Sequence, residues 1–403
     1  MAVRVNPMLI DELERYGAED VSKCFHCGNC TAACKFSQDP HMFPRKTMRN
    51  LQMGLETRLR SALDPWLCYY CGDCTEQCPR GAEPGETMMS LRRWLTAQYD
   101  FTGISRLFYR SWKVELGAIL LVAFLTCLGF LEYGFHFAGG NLSVYDGPGA
   151  FLPAHVVHMF DWTMGSTLGT LLMINCLRMW YFTMRGERSL PVSLGMYVRH
   201  LPALGRHFFT QKRYSECHDK RPWKIHLALM LSYITMLILI MFFLRDIQYG
   251  PEVRWRVHVL AYAASIGLIT TAGISLYGRI KKSSAHHRHS HESDWMFLGL
   301  LLFVAVTGVV QHVLHRVGLP MAANIAYIVH LMGVVPMLTL EVPFSKWSHM
   351  AFRPLAMYFA SMQVEAHAAA QIPSGGTSES EHADVNFAAG APPLGETAKP
   401  QLT

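Results

Sequence analysis

The stretch CFHCGNCTAACK at residues 24–35 returns, with the same cysteine spacing, as CYYCGDCTEQCP at residues 68–79. Each copy reads C-x2-C-x2-C-x3-C, and the two copies hold eight of the chain's 11 cysteines. Three thiolates from one tight loop and a fourth from farther away are the ligands of a cubane cluster. Zinc, the alternative, usually takes two C-x2-C pairs instead of such triplets. The duplicated motif therefore predicts two [4Fe–4S] clusters.

The fourth cysteine of each copy is expected to serve the cluster of the other copy, because the x3 cysteine does so in two-cluster ferredoxins. The predicted ligands are Cys24, Cys27, Cys30 and Cys78 for one cluster (the Cys24 set), and Cys68, Cys71, Cys74 and Cys34 for the other (the Cys68 set). Lys35, Arg45, Lys46 and Arg49 follow the first motif. Their charge is interpreted either as raising the cluster potentials or as docking an acidic partner.

The rest of the chain is too apolar for an ordinary soluble protein, with 51% hydrophobic and 16% charged residues. Six apolar stretches each approach the roughly 20 residues that cross a bilayer: 115–136, 154–182, 223–244, 255–277, 295–317 and 322–344. The predicted fold class is all-α, with an α-helical two-cluster ferredoxin domain and a six-helix transmembrane bundle. The predicted domains are 1–103, 104–360 and a disordered tail at 361–403, which is rich in Ala, Gly, Pro and Ser.

Loop charge predicts the orientation in the cytoplasmic membrane. Asp146 is the only charged residue in the loop 137–153, whereas the loop 185–224 carries nine lysines and arginines. The positive-inside rule puts the basic loop, the ferredoxin domain and both termini in the cytosol of a multi-pass protein. The first 17 residues lack the pattern of a signal peptide. Because no basic stripe interleaved with aromatics is found, we do not expect a nucleic-acid partner.

Histidines in the apolar stretches predict haem b, which needs two imidazoles at matching depth. His330 and His349 are 19 residues apart, about 28 Å along a helix, so they would serve two different haems. His226 matches His349 in depth. For His330 the partner is His312, with His258 as the alternative. Glycines four residues before His312 and three after His330 favour His312, since they leave room for a porphyrin.

Acidic residues at membrane depth indicate a proton or quinone path. The candidates are Asp161 with His158 at the second stretch and Glu341 at the end of the sixth. The plainer alternative is a neutralising ion pair with Arg178 or Lys346. No dinucleotide-binding, P-loop or nucleophile motif is found, so no catalytic residue is predicted and substrate chemistry is expected on other subunits.

Two segments carry a family resemblance. PRKTMRNLQMG (44–54) and WLCYYCGDCTEQCPRGAEP (66–84) resemble the cysteine-rich C subunits of heterodisulfide reductases. HLMGVVPMLTLEVPFSKWSHM (330–350) resembles the last haem-bearing helix of the nitrate reductase gamma subunit family. That family places ligands of two different haems on this helix. It has a second histidine on an earlier helix, where this chain has Met236, ten residues after His226.

The fusion of both modules resembles the C subunits of the quinone-interacting membrane-bound oxidoreductase (Qmo) complexes of sulfate reducers. This resemblance implies soluble flavin-containing partner subunits, menaquinone as the membrane substrate and electron exchange with adenylylsulfate reductase. The expected function is electron transfer between quinone and a cytosolic partner. The alternatives are a membrane heterodisulfide reductase subunit and, from another class, a zinc-binding membrane scaffold.

Overall fold

The computed structural model describes residues 4–145, 149–186, 192–249 and 254–371. Every regular element in these ranges is helical, which confirms the all-α fold class. The N-terminal region, residues 4–110, is built from short helices around the two cysteine motifs. These helices are Leu9–Glu14, Asn29–Ala32, Arg45–Gln52, Glu56–Arg60, Asp64–Leu67, Asp73–Glu76, Pro84–Tyr99 and Ile104–Arg110.

The segment 45–60 between the motifs forms two helices, although the three- and four-residue spacing of Met48, Leu51, Leu55 and Leu59 predicts one. Arg45–Gln52 buries Met48 and Leu51 and ends before Gly54. Gly54 has a φ of +63°, and a Cβ there would lie 2.3 Å from the Asn6 carbonyl oxygen. Only glycine tolerates this close approach in the left-handed region. Glu56–Arg60 then begins a second helix that buries Leu59.

A buried ion pair ties the N-terminal region together. Arg93 Nη2 lies 2.9 Å from Glu86 Oε1, and both side chains are buried. Arg93 Nη1 also donates to the carbonyl oxygen of Tyr16, 77 residues away in the chain. A buried charge that loses its partner costs far more than an exposed one, so this contact holds the long helix Pro84–Tyr99 on the N-terminal segment.

We predict that Arg93→Ala destabilises this region by about 3–5 kcal/mol, because Glu86 then stays buried without its cation. The apparent melting temperature of the purified protein, followed by loss of cluster absorbance, measures the effect. Lys23→Ala is the control. Lys23 pairs with Asp20 at 2.6 Å on an exposed surface, where solvent screens the pair. Equal melting temperatures of the two variants would contradict a structural role of Arg93.

Five helices of the described chain are long and apolar enough to cross a membrane. We refer to them as the membrane module, together with the helix Ala154–Met184 that lies second in chain order and the described segments 192–220 and 345–371 that follow the second and sixth helices. The five helices are Trp112–Phe137 (first), Arg221–Ile247 (third), Trp255–Lys281 (fourth), Glu292–Arg316 (fifth) and Pro320–Phe344 (sixth). The first and third end in short π-helical turns at 133–137 and 245–249, and the sixth contains one at 337–341.

The second helix differs from the other five. It is 31 residues long and is not among the helices apolar enough to span. Its last turns bury Met179 and Met184 in the core of the N-terminal region. Arg178 donates to the carbonyl oxygens of Tyr99 and Gln98. Part of this helix therefore belongs to the N-terminal core, and its crossing of the membrane stays a prediction.

The membrane module and the N-terminal region share one hydrophobic core. The helix Leu194–Thr210 packs along the final helix, His349–Gln371, which also contacts Asp64–Leu67. Trp66, Tyr99 and Phe352 meet there with ring centroids 5.4–6.4 Å apart. The final helix runs through residues 361–371, so the prediction of a disordered tail from 361 is wrong for these residues. The remainder of that predicted tail lies outside the described residues.

Candidate iron–sulfur and histidine sites

The Cys24 set lines one cavity. Cys24, Cys27 and Cys30 of the first motif meet Cys78 of the second there, together with Met48 and Ala82. Gly28 precedes the helix Asn29–Ala32 with a φ of +95°, and Gly72 occupies the same place in the second motif with a φ of +94°. This left-handed turn, repeated in both motifs, wraps each loop around one centre.

The four cysteines of the Cys68 set also lie near one another. Burial, and next the nearby Cys68, raise the pKa of the Cys34 thiol to about 12. Burial likewise raises the pKa of the Cys74 thiol, and Cys68, Cys71 and Cys34 add to this effect. Thiolates crowded in a buried site are unfavourable unless a metal supplies positive charge. The donor chemistry of both sets therefore fits iron–sulfur clusters.

The spacing of these thiols also bears on the zinc alternative. Among the described residues, no three His, Cys, Asp or Glu side chains are close enough to share a single metal ion. The four ligands of a cubane bind four different irons and are necessarily farther apart than the ligands of one ion. The finding is therefore compatible with a cubane ligand set.

The two sets differ in exposure. Cys27 of the Cys24 set is exposed, and the neighbouring Phe25 is 58% exposed. Cys30 of the Cys24 set is buried, as are Cys68 and Cys74 of the Cys68 set, so the difference lies at Cys27. A ninth cysteine, Cys217, lies beside the Cys68 set, and its hydrogen bond lowers the pKa of the Cys71 thiol. Residue 217 precedes the third helix, so the membrane module covers the Cys68 set.

His226 and His349 face one another across a second cavity. Their ring centroids are 6.1 Å apart. Metal–imidazole bonds are about 2 Å long, so two rings on opposite sides of one metal have centroids roughly 6 Å apart. His226 Nδ1 donates to Gln211 Oε1 at 2.8 Å, and His349 Nδ1 donates to the Lys346 carbonyl oxygen. Such bonds to Nδ1 hold the tautomer in which Nε2 is the metal ligand, as haem requires.

His312, His258 and His330 line a third cavity of about 2040 Å³, counting the space open to its surroundings. The rings of His258 and His312 are 5.3 Å apart. His312 Nδ1 is hydrogen-bonded to the Tyr262 hydroxyl at 2.8 Å, and within the described residues its buried Nε2 has no partner. His330 Nδ1 lies 3.1 Å from Thr307 Oγ1. His312 therefore offers a correctly held Nε2 for a metal, which fits haem.

Each of the two glycines near these histidines lies against an aromatic ring. A Cβ on Gly308 would lie 3.0 Å from the His330 ring, and a Cβ on Gly333 would lie 2.7 Å from the Phe303 ring. Gly308 thus admits the imidazole of His330, and Gly333 admits a phenyl ring from the fifth helix. That these glycines leave room for a porphyrin stays a prediction.

The resemblance implies that His330 and His349 lie on one continuous helix, but they do not. The sixth helix ends at Phe344, and Ser345 is non-helical, with φ −125° and ψ −149°. His349 begins the final helix after a single turn, Lys346–Ser348. The two histidines nevertheless line different cavities, which meet at Tyr233 and Leu301.

Asp161 and His158 lie near the third cavity. Asp161 is one of its lining residues, and His158 Nε2 accepts from Trp162 Nε1 at 3.0 Å. The ion pairs offered as alternatives are wrong: Arg178 contacts backbone carbonyl oxygens of the N-terminal region, and Lys346 pairs with Asp294. Asp161 remains a candidate for a quinone or proton path.

Glu341 is paired with another acid, Glu115 of the first helix. Both carboxyl groups are fully buried and lie against one another, and Ser345 Oγ donates to Glu115 Oε1 at 2.8 Å. The other three carboxyl oxygens have no other hydrogen-bond partner among the described residues. A hydrogen bond between two carboxyl groups needs a proton as its donor. Two ionised carboxylates side by side in a buried site would repel one another, so we predict that the pair shares a proton between the first and sixth helices.

We predict that Glu341→Gln keeps the protein's stability, because the amide donates to Glu115 in place of the shared proton. Glu341→Leu should cost about 1–3 kcal/mol, since Glu115 is then left partly unsatisfied. The melting temperatures of the two variants in detergent test this. If Gln and Leu destabilise equally, the carboxyl groups do not share a proton.

Comparison with known proteins supports the cysteine site. Residues 20–82 match the model of the 4Fe-4S dicluster domain family. A protein of Archaeoglobus profundus, named for its likeness to the C subunits of heterodisulfide reductases, is 33% identical over 88 residues. These are 22% of this chain and 47% of the relative, so the chain spans about half the length of that curated relative. No solved structure matches the chain.

These findings define the class of protein. The chain carries an iron–sulfur electron-transfer domain joined to helices that are long and apolar enough to span a membrane. These features fit an electron-transfer membrane subunit. Sequence reasoning missed Glu115, Cys217, Tyr262 and Gln211. Of these, only Glu115 carried a usable signal, as an acid at the start of an apolar stretch.

Proposed function

We propose that the chain carries electrons between menaquinone in the cytoplasmic membrane and soluble flavin-containing and iron–sulfur partner subunits. The crossed Cys24 and Cys68 sets hold two [4Fe–4S] clusters, and the membrane module holds two haems b. The observation that carries the proposal is the imidazole pair His226 and His349, at the separation of two ligands of one metal, in a cavity that Tyr69 of the cysteine domain also lines.

For the haems, the chain's own residues would provide the imidazole ligands and hold their orientation. His226 and His349 would hold the haem on the side of the cysteine domain, with Gln211 and the Lys346 carbonyl fixing their Nδ1 atoms. His312 and His330 would hold the second haem, with Tyr262 and Thr307 fixing their Nδ1 atoms. Haem supplies one-electron redox chemistry at these positions when bound. His258 remains the alternative to His312.

For quinone, the acids of the membrane module are the candidate proton groups. Asp161 lines the cavity of His312 and His330, with His158 one turn away on the same helix. Glu341 and Glu115 hold a proton at the other end of the module. Quinol oxidation releases two protons with its two electrons, so acids next to the redox centres suit this substrate.

The wider assignment rests on the fusion of modules. We propose that the chain works in sulfate respiration as the membrane subunit of a quinone-interacting oxidoreductase complex, with adenylylsulfate reductase as the redox partner. The ferredoxin domain and both termini are then cytosolic. The relative in Archaeoglobus profundus favours a second candidate, a membrane heterodisulfide reductase subunit. Mass spectrometry of proteins that co-purify from native membranes separates the two candidates.

Reduction by a quinol tests the electron-conduit role directly. We expect a menaquinol analogue to reduce the haem of the purified chain, as followed by its absorbance spectrum. The same chain should turn over neither disulfides nor sulfur oxyanions. The matched control is the same purified chain, measured without added quinol. Haem that no quinol reduces would contradict the quinone role, and turnover of a sulfur substrate would contradict the conduit role.

A further inference from the structure

Two tyrosine rings connect the cavity of His226 and His349 to the Cys68 set. Tyr214, just before the third helix, has its ring 6.1 Å from the His226 ring. The Tyr214 ring stacks on Tyr69 with centroids 5.1 Å apart and an interplanar angle of 26°. Tyr69 follows Cys68 in the chain and lines the histidine cavity. An unbroken run of aromatic contacts thus leads from a candidate haem ligand to a candidate cluster ligand.

Arg353 makes a second connection at the same place. It lies four residues after His349, one turn along the final helix. Its guanidinium lies 3.9 Å from the centroid of the Tyr69 ring, and Nη2 donates to the Cys68 carbonyl oxygen at 2.9 Å. The helix that begins with His349 therefore places a positive charge against the backbone of the Cys68 loop.

Within the described residues, the Cys24 set has no such connection. All the residues that line its cavity, from Cys24 to Pro84, belong to the N-terminal region. Its Cys27 and the adjacent Phe25 are exposed, and Arg45 on the cavity wall is exposed as well. This set lies on the outer side of the domain, while the Cys68 set lies against the membrane module.

We propose that the two cysteine sets have different partners: the Cys68 set is electronically coupled to the membrane module, and the Cys24 set meets the soluble partner. Arg353, Tyr69 and Tyr214 are the positioning residues of the inner coupling. This inference rests on the proposed function and deepens it. Only single electrons cross the contact, so no bond is made or broken there.

The sign of the Arg353 effect follows from its charge. A positive charge beside a cluster stabilises the reduced, more negative form and raises the reduction potential. Arg353 is close to Cys68, so its removal should lower the potential of the Cys68 set alone. Arg45 lines the cavity of the Cys24 set and is the matched arginine for the other site.

The test is a redox titration of the full-length protein followed by electron paramagnetic resonance. Cys74→Ala and Cys27→Ala first assign the two cluster signals. We expect Arg353→Met to shift the midpoint potential of the Cys68-set signal downwards and to leave the Cys24-set signal in place. Arg45→Met should move only the Cys24-set signal. Equal shifts of both signals in Arg353→Met, or no shift of the Cys68-set signal, would overturn the inference.

A second measurement needs no substitution of Arg353. In the wild-type protein, oxidised haem near one cluster should speed the spin relaxation of that cluster. We expect the Cys68-set signal to saturate at higher microwave power than the Cys24-set signal, and the reverse order would overturn the inference. Protein that purifies without haem would contradict the proposed function instead, while the Arg353→Met titration would still decide whether Arg353 acts on the Cys68 set.

Discussion

Cys78→Ala will remove the cluster of the first cysteine motif, and Cys34→Ala will remove the cluster of the second. The reason is the crossed arrangement: Cys78 lines the cavity of Cys24, Cys27 and Cys30, and Cys34 lies near Cys68 and Cys71. Each variant should lose about half of its cluster iron, because a cubane that lacks one of its four thiolates is poorly held. Iron content and the resonance spectrum of the reduced protein measure the loss.

The identity of the lost cluster is the decisive part of this prediction. The spectrum of Cys78→Ala should match that of Cys27→Ala, and the spectrum of Cys34→Ala should match that of Cys74→Ala. Cys74 is the better reference than Cys71, because Cys217 beside Cys71 can act as a substitute ligand. Cys127→Ala, in the first membrane helix, is the control and should keep both clusters. A Cys78→Ala spectrum that matches Cys74→Ala would refute the crossing.

The second large effect is expected at the histidines. His349→Ala and His226→Ala should each remove the same b-type haem signal, since their rings face one another at 6.1 Å. His330→Ala and His312→Ala should each remove the other signal, because they line the other cavity. A pyridine haemochrome assay should show about half of the haem in each variant, since haem without one axial imidazole is poorly held.

Two further variants make the haem experiment discriminating. His258→Ala should keep both signals, because His312 has its Nδ1 held by Tyr262 and, among the described residues, an unpaired Nε2. His155→Ala, at an exposed position near the start of the second helix, controls for general damage. If His330→Ala and His349→Ala remove one and the same signal, the two-haem arrangement is wrong. Loss of haem in His258→Ala but not in His312→Ala would exchange these two ligands.

Much of the fold follows from patterns that act over short distances. The cysteine spacing predicts the cluster loops, and runs of about 20 apolar residues predict the membrane helices. The failures arise where distant residues decide the local structure. Gly54 ends a helix because the backbone of Asn6 approaches it. Residues 361–371 are helical because the final helix packs on Leu194–Thr210 and the second helix, which their own composition does not indicate.

The candidate sites show the same division. Ligand residues such as Cys24 and His349 stand out because their side-chain chemistry is unusual for their surroundings. The residues that orient them do not stand out. Gln211, Tyr262 and Arg353 are ordinary side chains in sequence, and their importance appears only when the chain brings them to an imidazole or a cysteine loop. Arg353, for example, contacts the carbonyl oxygen of Cys68, which is 285 residues away in the chain.

The shared core of the N-terminal region and the membrane module decides what kind of electron carrier this chain can be. Trp66 and Tyr99 pack directly on Phe352 of the final helix, and Met179 of the second helix joins the same core. A tethered carrier domain swings between its donor and its acceptor on a flexible linker. Here, swinging would expose these large apolar side chains to water, at about 1.5–3 kcal/mol for each. The two cysteine sets are therefore held in a fixed position relative to the membrane helices, and the proposed function requires the soluble partner to come to them.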